Sequence, residues 1–369
     1  MEKKPLPELD RICAAFDCPG TWVSSCAIPS GHINDTYCSE FDERGRRVKY
    51  VNQRINHHVF REPERLMENI ERVTGFAREQ ILAAGGDPDR RTLTIVPARD
   101  GRSFHRTPEG DYWRMFRFID GARTYDRVED IRHVYAAAQA FGRFQKMLAR
   151  LPGERLHETI PDFHHTRKRY EAFLASVGRD EAGRAAAVRP EIDFVLAREK
   201  DAGVVVDGLG SGRIPERVTH NDTKFNNVMI DDRTGEGICV IDLDTVMPGS
   251  VLYDFGDSVR LGAATAAEDE RDLGRVGFDL GMFDRLAAGY LDAARDFLAP
   301  AEAELLAFSA KLLTLECGIR FLTDHLQGDV YFKISREDHN LDRARTQFKM
   351  VAEMESRMGA MESVVRKYL

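Results

Sequence analysis

Three polar residues between positions 218 and 260 have the types and the spacing of a metal-phosphate site. Asp222 and Asn227 lie five residues apart, and Asp242 directly follows the apolar run 238–241. An amide oxygen and a carboxylate suit Mg²⁺ when nucleotide phosphates and water fill its other positions. Asn227 and Asp242 are therefore the expected metal ligands. Asp222, free of metal, is the expected proton acceptor for an attacking hydroxyl group.

Lys224 lies two residues after Asp222 and is expected beside the transferred phosphoryl group, where it would offset the phosphate charge. Two short strands joined by a charged turn would bring these side chains together at the strand ends. Taken singly, each is equally well explained as a turn or loop residue, because Asp and Asn are favoured there for local hydrogen bonding. The joint spacing favours the site: H-x-D-x-K-x-x-N, then a strand ending in Ile-Asp, then P-G-x-x-x-Y-D-F-G-D.

The segments HNDTKFNN and VIDLDTVMPGSVLYDFGD resemble the catalytic and metal-binding motifs of the aminoglycoside phosphotransferase and choline kinase superfamily, relatives of the protein kinases. The sequences of these segments are most similar to those of the N-acetylhexosamine 1-kinases. The resemblance implies that Asp222 is the base, that Asn227 and Asp242 hold Mg²⁺, and that Asp254 braces the catalytic loop. It also implies an α+β, protein-kinase-like fold: a small β-rich lobe over residues 1–120, a larger, mainly helical lobe over residues 121–369, and ATP between them.

Arg320 and Tyr331 lie in the context C-G-x-R-F-L-T-D…G-D-x-Y-F-K. In the N-acetylhexosamine 1-kinases, an Arg and a Tyr in a similar context contact the sugar. The resemblance therefore implies that Arg320, Tyr331 and Asp222 bind the acceptor, and that the products are an N-acetylhexosamine 1-phosphate and ADP. Without the resemblance, a surface Arg and a packed Tyr explain these residues equally well.

The N-terminal strands are expected to cover the nucleotide. A strand near 22–28, the turn SGHINDTY and a strand near 48–55 predict a hairpin over the phosphates, with Gly31, His32, Asn34 and Thr36 in contact with ATP. Judged alone, a turn with one glycine is more simply explained as an ordinary hairpin turn. The pattern G-x-x-x-x-G-K-[ST] is absent from the sequence, which argues against a P-loop fold.

The cation that kinases carry on the third strand departs from the family pattern. The corresponding position falls near Gln53, and the neighbouring Arg54 is the expected phosphate ligand by charge, although a solvated strand residue explains it equally well. Because side chains alternate across a strand, Gln53 and Arg54 cannot both face the nucleotide. Glu68, on a helix expected over 62–85, would either pair with the strand cation or lie at the surface.

The phrase WRMFRFIDGART predicts a strand that runs into the hinge between the lobes. Backbone groups near Phe118 and Asp120 would meet the adenine there. The side chains of Trp113, Phe116 and Phe118 are expected to pack in the core rather than contact the adenine, because aromatic residues in strands mostly pack. The glycines of DGLGSG, at 207–212, lack the G-x-G-x-x-G spacing, and this segment is expected to be a loop.

Three histidines precede or open a predicted helix of the second lobe, at His157, His164 and His165. Their spacing matches no familiar set of metal ligands. We therefore expect them at the start of a helix or at the surface.

Composition favours an ordinary globular protein with room for two lobes, since the chain has 369 residues, 43% hydrophobic and 31% charged. The net charge of -8 argues against nucleic acid as a partner, whereas a local cluster of cations and metal can still bind ATP. Six cysteines without a C-x-x-C pair argue against a zinc site, and free thiols are favoured over a disulfide among the four cysteines of the first 38 residues. The absence of an apolar signal core and of a membrane-length apolar run predicts a cytoplasmic protein without membrane contact. A monomer is expected rather than an obligate oligomer.

Other functions are open at this point. The nearest is another small-molecule kinase of the same superfamily, acting on choline, an aminoglycoside or an amino alcohol. Cationic acceptors need an acidic or aromatic cage, whereas Arg320 favours a neutral or anionic polyol. A protein kinase is disfavoured, because A-P-E is absent from the sequence and D-F-G occurs only at 254–256, past the metal position. An inactive nucleotide-binding relative is opposed by the intact Asp222, Asn227 and Asp242.

Overall fold

An antiparallel sheet with flanking helices forms the N-terminal part of the computed structural model, which describes residues 8–29, 33–125 and 130–369. Gly31 and His32, expected at the phosphates, lie outside the described residues. The strand order is β1-β2-β3-β6-β4, and β5 pairs with β6. The elements are α1 (Leu9–Ala14), β1 (Thr21–Ala27), β2 (Asp35–Glu43), β3 (Arg46–Ile55), α2 (Pro63–Ala83), α3 (Pro88–Arg91), β4 (Ile95–Val96), β5 (His105–Arg106) and β6 (Tyr112–Arg117).

The register of the central strands decides which side chains share a face of the sheet. Thr36 on β2 lies opposite Gln53 on β3, which lies opposite Arg114 on β6. Asp35 and Arg54 pair in the neighbouring row. Successive side chains of a strand point to opposite faces, so Gln53 and Arg54 point apart. The face that carries Thr36, Gln53 and Arg114 is the one turned toward the candidate site.

Helices dominate the rest of the chain. The α+β, protein-kinase-like fold expected from the sequence is confirmed. None of the helices in the described ranges is both long and apolar enough to cross a bilayer. The elements are β7 (Ala122–Arg123), α4 (Ile131–Leu148), α5 (Thr166–Arg179), α6 (Arg189–Leu196), α7 (Val204–Gly210), β8 (Arg217–Thr219), β9 (Val228–Asp231), β10 (Gly237–Val240), β11 (Met247–Gly249), α8 (Val251–Gly262), α9 (Leu280–Ala294), α10 (Pro300–Leu326), α11 (His339–Ser356) and α12 (Met358–Tyr368).

Two apolar cores hold the elements that carry the polar residues. In one, the buried stripe of α2, which includes Leu66 and Ile70, packs with Phe141 of α4 and Val228 of β9. This stripe follows the 3.6-residue period expected for α2. A second core joins α4, α8, α9, α10 and α12. The expected burial of Trp113 and Phe116 is also confirmed, at 1% and 4% exposure.

The segment DGLGSG differs from the expected loop over its first residues, because α7 extends to Gly210. A side chain at Gly208 would overlap Ile214, so glycine is needed there for close packing. Glycine costs about 1 kcal/mol in a helix relative to alanine. Tertiary contact outweighs that local preference here.

Candidate active site

The catalytic loop, residues 220–227, begins where β8 ends. Asn221 has a φ of 64°. This left-handed conformation is one that Asn tolerates better than most residues. Its side-chain amide donates to the carbonyl oxygens of Thr219 at 3.2 Å and Thr245 at 3.0 Å. Gly249 on β11 lies against it, since a Cβ there would be 2.6 Å from Asn221 Oδ1. These contacts fix the turn that precedes Asp222.

Asp254 on α8 holds the same loop from the buried side. Its carboxylate accepts from the backbone N–H groups of His220 at 2.9 Å and Asn221 at 2.6 Å. Gln145 Nε2 also donates to it, at 2.6 Å. Thr223 Oγ1 donates to the Asp254 carbonyl oxygen at 2.5 Å. Asp254 thus has the contacts expected of a residue that braces the catalytic loop.

Asp222 and Lys224 form an ion pair, with Lys224 Nζ 2.8 Å from Asp222 Oδ2. Burial acts to lower the pKa of Lys224, but Asp222, and beyond it Asp257 and Asp242, outweigh this effect and raise that pKa. Asn227 Nδ2 donates to the Asp222 carbonyl oxygen at 2.8 Å. The amide oxygen of Asn227 is then the atom suited to a cation.

Asp242 follows β10 with a φ of 57°. Burial, and then repulsion by Asp244 and Asp222, raises the pKa of Asp242 to about 6. The Asp242 side chain is nevertheless exposed to solvent. Contact with water therefore reduces the rise in the Asp242 pKa that burial causes. The rest of the rise comes from repulsion between the three carboxylates, which a bound cation would relieve. This donor set fits a divalent metal ion.

The protein supplies only part of a metal coordination shell. Within residues 8–29, 33–125 and 130–369, no group of three or more His, Cys, Asp or Glu side chains is arranged to hold a metal ion. A cation at Asn227 and Asp242 would need further ligands. Mg²⁺ commonly takes these from nucleotide phosphates and water.

A chain of polar contacts joins the sheet to the metal loop, residues 242–245. The buried Arg114 forms an ion pair with Asp244, and its Nε donates to Gln53 Oε1 at 2.9 Å. Gln53 Nε2 donates to Thr36 Oγ1 at 3.1 Å. From the β1–β2 connection, Asn34 Nδ2 donates to Asp244 Oδ2 at 2.6 Å. Asn34 and Thr36, both expected at the nucleotide, thus belong to one network with the metal loop.

The hinge segment after β6 already uses two of its backbone groups. The Phe118 N–H donates to the Lys49 carbonyl oxygen at 3.2 Å. Arg90 Nη1 donates to the Asp120 carbonyl oxygen at 2.5 Å. These two groups are therefore already engaged within the protein.

The expected acceptor residues lie at the end of α10 and just beyond it. The Arg320 guanidinium lies 5.8 Å from the ring centre of Phe163 and 5.4 Å from that of Phe332. Tyr331 is 70% exposed. Burial and then the charge of Arg320 lower the pKa of Arg169, so a second guanidinium lies near the first. This region is cationic and aromatic.

Asp324 fixes the segment that carries Tyr331. Its carboxylate is buried and accepts from the backbone N–H groups of Val330 at 2.9 Å, Tyr331 at 2.7 Å and Phe332 at 2.9 Å. Asn340 Nδ2 on α11 adds a fourth contact at 2.8 Å. One side chain on α10 therefore sets the path of the segment that follows the helix.

Comparison with known proteins identifies the family. The model of the phosphotransferase enzyme family, APH, matches residues 25–305. The chain belongs to this family.

Solved structures show the same fold at low identity. A microcompartment-associated aminopropanol kinase is 16% identical, with a TM-score of 0.58; the match covers 96% of the present chain and 98% of the kinase chain. An aminoglycoside phosphotransferase from Alicyclobacillus acidocaldarius is 12% identical, with a TM-score of 0.61 over 99% and 98%. A choline kinase from Cryptosporidium parvum is 14% identical, with a TM-score of 0.55 over 97% and 99%.

Arg114 is a residue of this site that no sequence motif indicated. Arg54, the expected strand cation, pairs instead with Asp35 at 2.9 Å and Asp111 at 3.4 Å, in the other row of the sheet. The alternation of side chains already separates Gln53 from Arg54. Pairing β3 with β6 then puts a guanidinium beside Gln53.

The histidines and Glu68 fall into different environments. His157 Nε2 lies 2.8 Å from the half-exposed Glu68. Of the two options for Glu68, the structure therefore shows the surface position and not a pair with a strand cation. His165 accepts a backbone N–H at the start of α5, as expected. His164 lies next to the start of α5, as expected, but its side chain is not at the surface: it is buried between Glu316 and the catalytic loop. The docking of α5 and α10 under the loop accounts for this difference.

Proposed function

We propose that the phosphotransferase is an ATP-dependent kinase that phosphorylates the anomeric hydroxyl of an N-acetylhexosamine, GlcNAc or GalNAc. The products would be the 1-phosphate and ADP. The observation that carries this proposal is the cationic, aromatic surface around Arg320 and Tyr331. A cage for a cationic acceptor would need free carboxylates or aromatic faces without a competing cation. Here Arg320 already lies against the rings of Phe163 and Phe332.

Two carboxylates at this surface are already engaged. Asp324 accepts three backbone N–H groups, and Glu316 contacts His164 at 2.8 Å. A choline-like or aminoglycoside acceptor would have to compete with those donors. A neutral polyol avoids this cost and can accept hydrogen bonds from Arg320.

Asp222 would hydrogen-bond the acceptor hydroxyl and take its proton as the oxygen attacks phosphorus. The anomeric hydroxyl of a sugar is more acidic than that of a simple alcohol, so an ordinary carboxylate suffices as the base. Lys224, 2.8 Å from Asp222, would turn toward the transferred phosphoryl oxygens and offset their charge. The ion pair holds the two groups next to each other, as this role requires.

For the cofactor we propose ATP with Mg²⁺, held by Asn227 and Asp242. Two proteins of similar fold have been described with nucleotides: an amicoumacin kinase with AMP-PNP and Ca²⁺, and a spectinomycin phosphotransferase with ADP. When bound, magnesium-ATP supplies the phosphoryl group and neutralises charge on it. Nucleotide contacts are proposed for Asn34, Thr36 and the backbone at 118–120.

A screen of ADP release tests the proposal. The acceptors are N-acetylglucosamine, N-acetylgalactosamine, galactose, choline and kanamycin, each at several concentrations. We expect the highest kcat/KM for an N-acetylhexosamine, with phosphate on the anomeric oxygen by NMR. A higher kcat/KM for choline or kanamycin would overturn the acceptor assignment. ADP release at background with all five would indicate an inactive relative.

A further inference from the structure

We infer that His164 is a positioning residue that holds the catalytic loop as an imidazolium, opposite Asp254. The inference rests on the proposed role of Asp222 as the base. His164 lies directly before α5, and its side chain is only 7% exposed. Its Nε2 is 2.9 Å from the Asn221 carbonyl oxygen, and its Nδ1 is 2.8 Å from Glu316 Oε1. The ring therefore bridges α10 and the loop.

Both partners of the ring are acceptors, and this sets its proton count. A backbone carbonyl oxygen can only accept, so Nε2 of His164 carries a hydrogen. The second oxygen of Glu316 accepts the hydroxyl group of Thr166. With Glu316 ionised, Nδ1 must also donate. The ring then has two N–H groups and a positive charge.

The charges around the ring favour this state. Burial acts to lower the pKa of His164, but Glu316, the Asn221 carbonyl group and Asp257 outweigh it and raise that pKa. Burial acts to raise the pKa of Glu316, but His164, Thr166 and Arg320 lower it. From α8, the Tyr253 ring also packs on His164, with centres 5.1 Å apart.

The result is that Asn221 is held through both of its backbone polar groups. The Asn221 N–H donates to Asp254 Oδ1 at 2.6 Å, and the Asn221 carbonyl oxygen accepts from His164. Asp222 is the next residue. Without the His164 contact, the left-handed turn at Asn221 loses its support on one side, and the carboxylate of the base shifts. A displacement of 1 Å at a reacting group can lower turnover by on the order of 10²-fold.

Steady-state kinetics of His164→Gln test this role, with whichever acceptor of the screen the wild-type protein turns over. We expect kcat to fall by on the order of 10²-fold, with the KM for ATP unchanged, because the nucleotide contacts lie elsewhere. Adding Glu316→Gln should restore part of kcat, since two amides can rebuild a neutral bridge to the Asn221 carbonyl oxygen.

The matched control is His157→Gln, which removes a histidine–glutamate contact of the same 2.8 Å length at the surface. Its kcat should stay at the wild-type value. A wild-type kcat for His164→Gln, or an equal loss in both variants, would overturn the positioning role. Thermal unfolding of each variant identifies any loss that comes from misfolding.

Two measurements on the full chain need no acceptor, so they remain decisive if the N-acetylhexosamines prove not to be substrates. NMR of ¹⁵N-histidine protein should show one imidazolium with both N–H groups retained at pH 7, above the ordinary pKa of 6.5, and absent from His164→Gln. A single ring N–H on His164 at pH 7 would overturn the imidazolium. Amide exchange over residues 219–224 should accelerate in His164→Gln and not in His157→Gln, and equal exchange would count against this hold on Asn221.

Discussion

Arg114 and Asp244 form an ion pair that is buried between strand β6 and the metal loop, with side chains 1% and 4% exposed. Desolvating two charges costs several kcal/mol per ion, and further hydrogen bonds must offset it. Gln53 and Asn34 supply them, at 2.9 and 2.6 Å. Because Asp244 is two residues from Asp242, this pair ties the sheet to a proposed metal ligand.

Replacing Arg114 should therefore destabilise the protein strongly. For Arg114→Met we expect a loss of about 3–5 kcal/mol in the free energy of unfolding, because Asp244 is left as an unpaired buried charge. Urea denaturation measures this change. Arg54→Met is the control, since its partly exposed pair with Asp35 should be worth about 1 kcal/mol or less. Adding Asp244→Asn to Arg114→Met should recover part of the lost unfolding free energy. Equal losses in Arg114→Met and Arg54→Met would contradict a buried, structurally important Arg114–Asp244 pair.

Asp222→Asn should retain ATP binding and lose turnover. A positioned base contributes about 10²–10⁴-fold to the rate, so kcat should fall within that range while the KM for ATP changes little. Initial rates of ADP release measure both constants. Asp232→Asn, which removes a surface partner of Arg123, provides the control. Near wild-type kcat in Asp222→Asn would remove that residue from the role of base.

Asp324→Asn should weaken acceptor binding without affecting ATP. The amide cannot accept from three backbone N–H groups as the carboxylate does, so the segment with Tyr331 loses its fixed path. We expect the acceptor KM to rise about tenfold, which corresponds to about 1.4 kcal/mol. Arg320→Met should raise the same KM directly. Asp284→Asn is the control, because Asp284 lies on α9 and contacts the C-terminal residues Lys367 and Tyr368. An unchanged acceptor KM in both test variants would show that the acceptor binds elsewhere.

The pair His164–Glu316 should give a defined pH dependence of stability. Glu316 has a pKa below its ordinary 4.5, so its contribution is complete above pH 4.5 and is lost as pH falls through the folded-state value. His164 has a pKa above its ordinary 6.5, so its contribution is complete below pH 6.5 and is lost as pH rises through the folded-state value.

The difference in unfolding free energy between the wild type and His164→Gln/Glu316→Gln should thus be greatest between pH 4.5 and 6.5. It should decline on both sides of that interval. Urea denaturation from pH 3 to 9 measures it. A difference that stays flat across this range would contradict the charged pair.

Motif spacing and hydrophobic periodicity predicted those features of the protein that depend on residues close together in the sequence. The spacing of Asp222, Asn227 and Asp242 is a property of one short segment, and the stripe on α2 follows from its own periodicity. Arg114 could not be found in this way, because its partner Gln53 is 61 residues away and meets it only through the register of β3 and β6. His164 depends on a contact across 57 residues, made when α5 docks under the loop.

The tight fit of Gly249 against Asn221 has a consequence for protein engineering. Even a methyl group at position 249 would occupy space that the Asn221 amide already fills. A library that varies the Pro248–Gly249 step would therefore lose activity for reasons unrelated to substrate choice. Attempts to broaden the range of acceptors should diversify the proposed acceptor surface formed by Phe163, Arg320 and Tyr331 and leave that step untouched.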